Sequence, residues 1–254
     1  MINNNILQIS NLSVKLSGKS ILSSINYEVN MHEVIAIVGK SGVGKTTLLK
    51  ALAGLIAINS GGITLNGESI TQPSNNIGLV FQEYFVFPWL NVEKNILLGL
   101  KYGMDKLSKE CMTERVEKLL MSIELYEHKS KYPAQLSGGM LQRVAFGRAL
   151  AANPNILLLD EPFGALDLIT RLNLHTLIKT IFNENRQSII IVTHNINEAV
   201  ALADKVLLLS GTPASITAKW HINNPRTNES FLKLSSEQDN IVSEILNELK
   251  NNIS

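Results

Sequence analysis

The sequence predicts an α/β fold in which a largely parallel sheet is covered on both faces by helices. Two observations carry that prediction. Short, unbroken apolar runs such as Ile156–Leu159 and Ile189–Val192 suit strands buried on both faces, which lose the in–out alternation of a half-exposed strand. Such runs also take turns along the chain with longer helix-like segments, the order expected of a sheet flanked by helices. The 254 residues, 45% of them hydrophobic, suffice for one full-sized core with room for a smaller lobe.

Taken in chain order, Ile6–Leu12 opens the fold as a strand. Val34–Val38 is wholly apolar and runs into a glycine-rich loop, after which Lys45–Leu55 reads as a helix. Ile63–Leu65 and Ile77–Phe81 are short strands. From about Asn91 to Ala152 the pattern is helical without a convincing strand, with helices expected at Lys109–Ile123 and Met140–Ala152. That stretch reads as a helical lobe inserted into the α/β core. Ile156–Leu159, Ser188–Val192 and Val206–Leu209 complete the strands, with helices at Leu168–Asn183 and Ile196–Ala203 between them. The remainder is polar and Asn-rich and closes on an amphipathic helix, Ser235–Leu249.

The bulk numbers exclude several classes. With 23 basic and 22 acidic side chains the net charge is +1, which argues against an electrostatic nucleic-acid binder. The lone Cys111 cannot form an internal disulfide, in keeping with a reducing compartment. Met1-Ile2-Asn3-Asn4-Asn5 offers neither a basic leader nor a long apolar stretch, so no secretory signal is expected. No apolar run approaches the ~20 residues that span a bilayer. The chain is expected to be soluble by itself and to meet a membrane only through a partner.

Gly39-Lys40-Ser41-Gly42-Val43-Gly44-Lys45-Thr46 matches the phosphate-loop pattern between an apolar strand and a helix. The spacing follows from chemistry. Glycines let backbone N–H groups turn around phosphate oxygens without Cβ clashes, and the helix directs the positive end of its dipole at the anion. Lys45 then reaches the β- and γ-phosphates, the Thr46 hydroxyl holds Mg²⁺, and Thr47 adds a phosphate contact.

Ile156-Leu157-Leu158-Leu159-Asp160-Glu161-Pro162 is an apolar strand ending in two acids. Strand C-termini of a doubly wound sheet form the ligand crevice. Asp160 there can hold Mg²⁺ through water, and Glu161 can accept a proton from the attacking water. Beside the phosphate loop this pair reads as a hydrolase rather than a mere binder. His194 follows the strand Ile189–Val192 and faces the same crevice, within reach of the γ-phosphate or the water. His32, His128, His175 and His221 have no such context and are expected at the surface. Gln82 ends the strand Ile77–Phe81, where an amide can complete the Mg²⁺ shell, orient water, or simply be a polar strand end.

Leu136-Ser137-Gly138-Gly139-Met140, followed by Gln142-Arg143 and Arg148-Ala149-Leu150, resembles the signature of the ABC-transporter ATPases. Six elements of that family occur in its order: the phosphate loop, Gln82, the signature, the acidic strand, the loop Gly164-Ala165-Leu166-Asp167, and His194. The resemblance implies a P-loop NTPase (RecA-like) core with an antiparallel β subdomain and an inserted α-helical subdomain. It implies one ABC ATPase domain over 1–254: core at 1–90 and 153–215, helical subdomain at 91–152, and a C-terminal extension at 216–254. It further implies ATP hydrolysis by a head-to-tail pair, in which Ser137, Gly138 and Gly139 of one copy close over ATP held by the other. Their N–H groups and hydroxyl at a helix start suit a second anion contact. Asp167 is implied to lie at that interface.

Phe81-Gln82-Glu83, Phe87-Pro88-Trp89-Leu90-Asn91-Val92 and Glu161-Pro162-Phe163-Gly164-Ala165-Leu166-Asp167 resemble the nitrate/sulfonate/taurine importer group, which also includes importers of thiamine-precursor pyrimidines. Implied partners are a second copy of the chain, transmembrane permease subunits and, indirectly, an extracellular solute-binding protein. The implied location is peripheral, on the cytoplasmic face of the cell membrane. In the family the segment after the glutamine meets the permease; the aromatic Tyr84–Trp89 stretch fits that role or packing within the helical lobe. Two departures stand out. Leu16 occupies the place of the usual adenine-stacking aromatic, and Gly147 that of an alanine, at a cost of about 1 kcal/mol in helix stability. No C-terminal regulatory domain is expected. Rival readings are an exporter subunit, a non-transport ABC ATPase and a small-molecule kinase. The last leaves the signature and His194 unexplained.

Overall fold

Ten strands build one sheet in the computed structural model of the chain, which describes residues 5–101, 108–164, 166–185, 187–223, 225–226 and 231–251. The first part of the chain gives β1 (Asn5–Leu16), β2 (Lys19–Asn30), β3 (Val34–Val38), α1 (Lys45–Leu52), β4 (Ser60–Leu65), β5 (Glu68–Ser69) and β6 (Ile77–Val80). A helical stretch follows: α2 (Val92–Lys101), α3 (Lys109–Ser122) and α4 (Gly138–Ala151). The rest is β7 (Ile156–Asp160), α5 (Leu168–Asn185), β8 (Ser188–Val192), α6 (Ile196–Leu202), β9 (Lys205–Gly211), β10 (Ala214–His221) and α7 (Ser236–Asn251).

The strand order is β5-β4-β1-β2-β10-β9-β3-β8-β7-β6. The five strands from β9 to β6 are parallel, as the apolar runs predict. The other half is antiparallel and joins the parallel half at β10, which pairs β9 along its length and β2 only at Ala214↔Leu22. The wholly apolar strands serve two cores at once. Val34, Ala36 and Val38 of β3 face the core shared with α2 to α7, while Ile35 and Ile37 face the one shared with α1, β1, β2 and β4.

β2, β5 and β10 are absent from the sequence-based expectation, and β2 shows why. Its buried residues are Leu22, Ile25 and Val29: a bulge at Ser24 (φ 50°) makes the first step odd, and Tyr27, on the same face as Ile25 and Val29, is only half-buried. The helix expected to reach Leu55 stops at Leu52. Gly54 (φ 69°) closes it, with Leu55 N–H donating to the Lys50 carbonyl at 2.9 Å, and a Cβ at Gly54 would lie 2.4 Å from the Gln72 carbonyl.

Gly147 has a packing reason that offsets its propensity cost: a Cβ there would lie 2.8 Å from Ile123 Cδ1. One expectation is overturned. His175 is buried, not at the surface, between the rings of Phe163 and Phe231, because α5 turns this face into the core. Burial drives its imidazole down to about 3. His32 and His221 are exposed and His128 half-buried. Ala165 and Met1 to Asn4 lie outside the described residues. No helix among the described residues is long and apolar enough to cross a membrane.

Candidate functional site

Parallel pairing places the C-terminal ends of β3, β8, β7 and β6 side by side along one edge. These four ends carry the phosphate loop, His194, the Asp160–Glu161 pair and Gln82, which lie far apart in sequence. The strand order turns back across β3, with β9 on one side and β8 on the other, which makes a crevice at this edge.

The loop's backbone is what the glycines permit. Gly42 and Gly44 have φ of 76° and 118°, and a Cβ at Gly39 would lie 2.4 Å from the Leu209 carbonyl. Gly44 opens α1 without a side-chain cap, which leaves the helix N-terminus facing the loop. Lys45 is buried, and its Nζ donates to the carbonyls of Gly39 at 2.9 Å and Lys40 at 3.0 Å. Burial pulls its pKa down, against the pull of Glu161 and Asp160.

The acids fall where the loop needs them. Thr46 Oγ1 donates to Asp160 Oδ1 at 3.1 Å. Burial raises the Asp160 carboxyl, and the neighbouring Glu161 adds to the rise. Glu161 sits between two partners, with Lys45 Nζ 3.9 Å from one oxygen and His194 Nδ1 2.6 Å from the other. Its backbone has φ 48°, a left-handed conformation costing roughly 1 kcal/mol for a residue with a Cβ, while its N–H extends the β7–β8 ladder to the Val192 carbonyl. That turn aims the carboxylate at the crevice.

Two clefts flank the start of α1. One, of about 680 Å³, is lined by Thr46, Lys50, Gln82 and Asp160 among others. Its oxygen donors, Thr46, Asp160 and Gln82, suit a small hard cation such as Mg²⁺. No cluster of three His, Cys, Asp or Glu side chains competes for a metal among the described residues. The other cleft, of about 440 Å³, is walled by Lys19 to Ile21, Lys40 to Val43, the end of β9 and Leu249. Thr47 lies in the first turn of α1.

Five candidates stand apart from this cluster. Ser137 caps α4 by accepting from Met140 N–H at 3.3 Å, and Gly139 packs on Thr170. Gly138 lies near the Tyr84 hydroxyl. Leu16, at the tip of β1, is 42% exposed and is not among the residues walling either cleft. Asp167 caps α5, accepting from Thr170 N–H at 3.1 Å and Oγ1 at 2.6 Å, and these bonds hold its carboxyl low.

Sequence reasoning assigned no role to the groups behind His194. Glu198 on α6 is 2% exposed. One oxygen accepts from Thr193 Oγ1 at 3.3 Å, and the other, lacking a hydrogen bond, lies 3.6 Å from Arg171 Nη1. Arg171 Nη2 also donates to the Leu166 carbonyl at 3.2 Å, tying the Asp167 loop to the His194 loop. A sequence signal existed, since Glu198 falls in the first turn of the helix that follows His194. Also without an assigned role was Asn95, fully buried on α2, which donates to the carbonyls of Phe87, Leu90 and Asn91 and accepts from Phe87 N–H.

The family described as "ABC transporter" matches residues 22–164. The aliphatic sulfonates import ATP-binding protein SsuB of Bacillus cereus is 41% identical over 218 residues, covering 84% of this chain and 85% of that protein. The taurine import ATP-binding protein TauB of Escherichia coli O157:H7 is 40% identical over 221 residues, 87% of this chain and 86% of that one. A solved dimeric ATP-binding cassette in a post-hydrolysis state with ADP and Pi superimposes with a TM-score of 0.74. It is 27% identical and covers 86% of this chain and 99% of that one.

Proposed function

We propose, from the premise that this chain belongs to the ABC transporter family, that it is the ATP-binding subunit of an importer and hydrolyses ATP to drive uptake of a sulfonate- or taurine-like solute through a separate permease. The observation that carries this reading is the placing of Glu161 between Lys45 and His194, beside the Thr46–Asp160 pair.

The phosphates enter at the start of α1, where Lys45 exchanges the Gly39 and Lys40 carbonyls for β- and γ-oxygens. Glu161, then released from Lys45, accepts the proton of the attacking water. His194 orients the Glu161 carboxylate and meets the γ-phosphate. Thr46, Asp160 and Gln82 would hold Mg²⁺, which when bound would neutralise charge on the phosphate oxygens.

Each site is completed by Ser137, Gly138 and Gly139 of a second copy in head-to-tail arrangement. Beside Asp167, Leu168 and Ile169 are 50% and 67% exposed, apolar surface that such a pair covers. Residues 1–90 and 153–215 act as the ATP-binding core, 91–152 as the helical subdomain and 216–254 as an extension.

The permease docks at a groove of about 670 Å³ that includes Phe85, Phe87 and Trp89. Phe85 and Trp89 are 57% and 69% exposed. Arg148 holds the segment by donating to the Phe85 carbonyl at 2.7 Å, and Asn95 clamps the turn beyond it. The chain therefore works peripherally on the cytoplasmic face, with an extracellular binding protein delivering the solute.

The test is light scattering and phosphate release on Glu161→Gln with ATP and Mg²⁺. The expected result is turnover reduced at least a hundredfold, in the range of a lost general base (~10²–10⁴), together with an ATP-dependent dimer. Hydrolysis at the wild-type rate would refute Glu161 as base.

A further inference from the structure

Resting on that nucleotide reading, we propose that Leu249, near the end of α7, contacts the ribose or purine of the bound nucleotide, so that the C-terminal helix forms one wall of the base site.

The argument starts from direction. The phosphates are fixed at the start of α1, and the groups that handle the γ end, Thr46, Asp160 and Gln82, line the larger cleft on one side. The ribose and base must therefore leave toward the other side, into the cleft of about 440 Å³. Its apolar surface comes from Ile21, Val43, Leu209 and Leu249. Leu16, where the aromatic was expected, is not part of that wall. A purine needs a broad apolar contact on at least one face, and Leu249 supplies it from an element that the sequence reading assigned to a polar extension.

The helix is held in place to do this. Ile245 is fully buried under it, and Leu249 itself packs on the core that α6 shares. Trp220 Nε1 donates to Glu244 at 3.1 Å, and Asn223 Nδ2 donates to Glu237 at 2.6 Å, anchoring α7 to the end of β10 and the residues after it. Because a ligand touching α7 binds the docked helix better than an undocked one, nucleotide binding and docking of α7 favour each other.

The experiment is an equilibrium titration of the full chain and of its Leu249→Ala variant with ATP, and separately with inorganic tripolyphosphate. The variant is expected to bind ATP about fivefold more weakly, as follows from exposing roughly 40 Å² of apolar surface. Its tripolyphosphate affinity is expected to match wild type, which also shows the loop to be intact. Unchanged ATP affinity overturns the proposal, as does an equal loss for both ligands. If the wild-type chain binds neither ligand, the nucleotide reading itself fails, and this proposal with it.

Discussion

Replacing Glu198 by glutamine isolates what a buried carboxyl beside the site contributes. Burial pushes the Glu198 carboxyl up to about 7, against the opposing pulls of Arg171, Thr193 and His194, while Glu161 adds to the rise. The folded state thus holds the proton more tightly than the unfolded chain. Stability from this group is fully present below its ordinary value of 4.5 and is lost as pH rises toward about 7. That interval, at roughly 1.4 kcal/mol per pH unit, comes to about 3 kcal/mol.

His175 works the other way. Its imidazole, driven from 6.5 to about 3, contributes stability present above pH 6.5 and lost as pH falls toward 3. Between pH 4.5 and 6.5 the two slopes oppose each other, so the wild-type profile alone decides little. The difference between wild type and Glu198→Gln removes His175 from the comparison. Glutamine stays neutral and still offers a carbonyl to Thr193. Relative to wild type the variant should gain about 3 kcal/mol between pH 4.5 and 7.5, or about 10 °C in Tm for a chain of this size. Urea unfolding followed by tryptophan fluorescence across that range measures it. A difference independent of pH would refute the assignment of Glu198 as the buried proton carrier.

Gly99→Ala places a Cβ 2.2 Å from the Arg148 carbonyl, where α2 crosses α4, and backbone cannot yield as a side chain does. A loss of about 1–3 kcal/mol in urea unfolding is expected. Asn95→Ala leaves the carbonyls of Phe87, Leu90 and Asn91 without their shared donor. We expect about 1–3 kcal/mol of lost stability and a shift in Trp89 emission as its turn loosens.

The candidate site was legible because the phosphate-loop pattern and the acidic strand end are both local in sequence. The glycines, Lys45 and Thr46 are contiguous, as wrapping one phosphate group would require, and Asp160 and Glu161 follow an apolar run that brings Asp160 to Thr46. Their meeting also followed from the sequence, since parallel strands bring their C-termini to one edge. What escaped was whatever depended on parity or burial. The bulge at Ser24 and the half-exposed Tyr27 together give β2 buried positions spaced like a helix. Glu198 in Ile196–Leu202 reads like any acid facing water from a helix, and only the packing of α6 against Arg171 shows it to be buried. Leu249 read as the apolar stripe of a terminal helix, and nothing local relates it to a loop two hundred positions earlier.

The parts of the site that one chain leaves apart are themselves fastened together. Gly139 can lie against Thr170 only because it lacks a Cβ, which would fall 2.2 Å from Thr170 Cγ2. Thr170 in turn donates twice to Asp167, through N–H and Oγ1. Arg171, the next residue, holds the Leu166 carbonyl and faces Glu198. Gln142, one turn into α4, donates to the Pro162 carbonyl just after Glu161. The start of α4, the start of α5 and the turn after β7 therefore form one packed unit. In the proposed pair, a second copy's phosphate that engages Ser137 pulls on the same unit that carries this copy's Glu161. Coupling between the two sites of the proposed pair would need no flexible relay: it would follow from one glycine and one threonine in contact, and from an arginine that ties Leu166 to the buried acid beside His194.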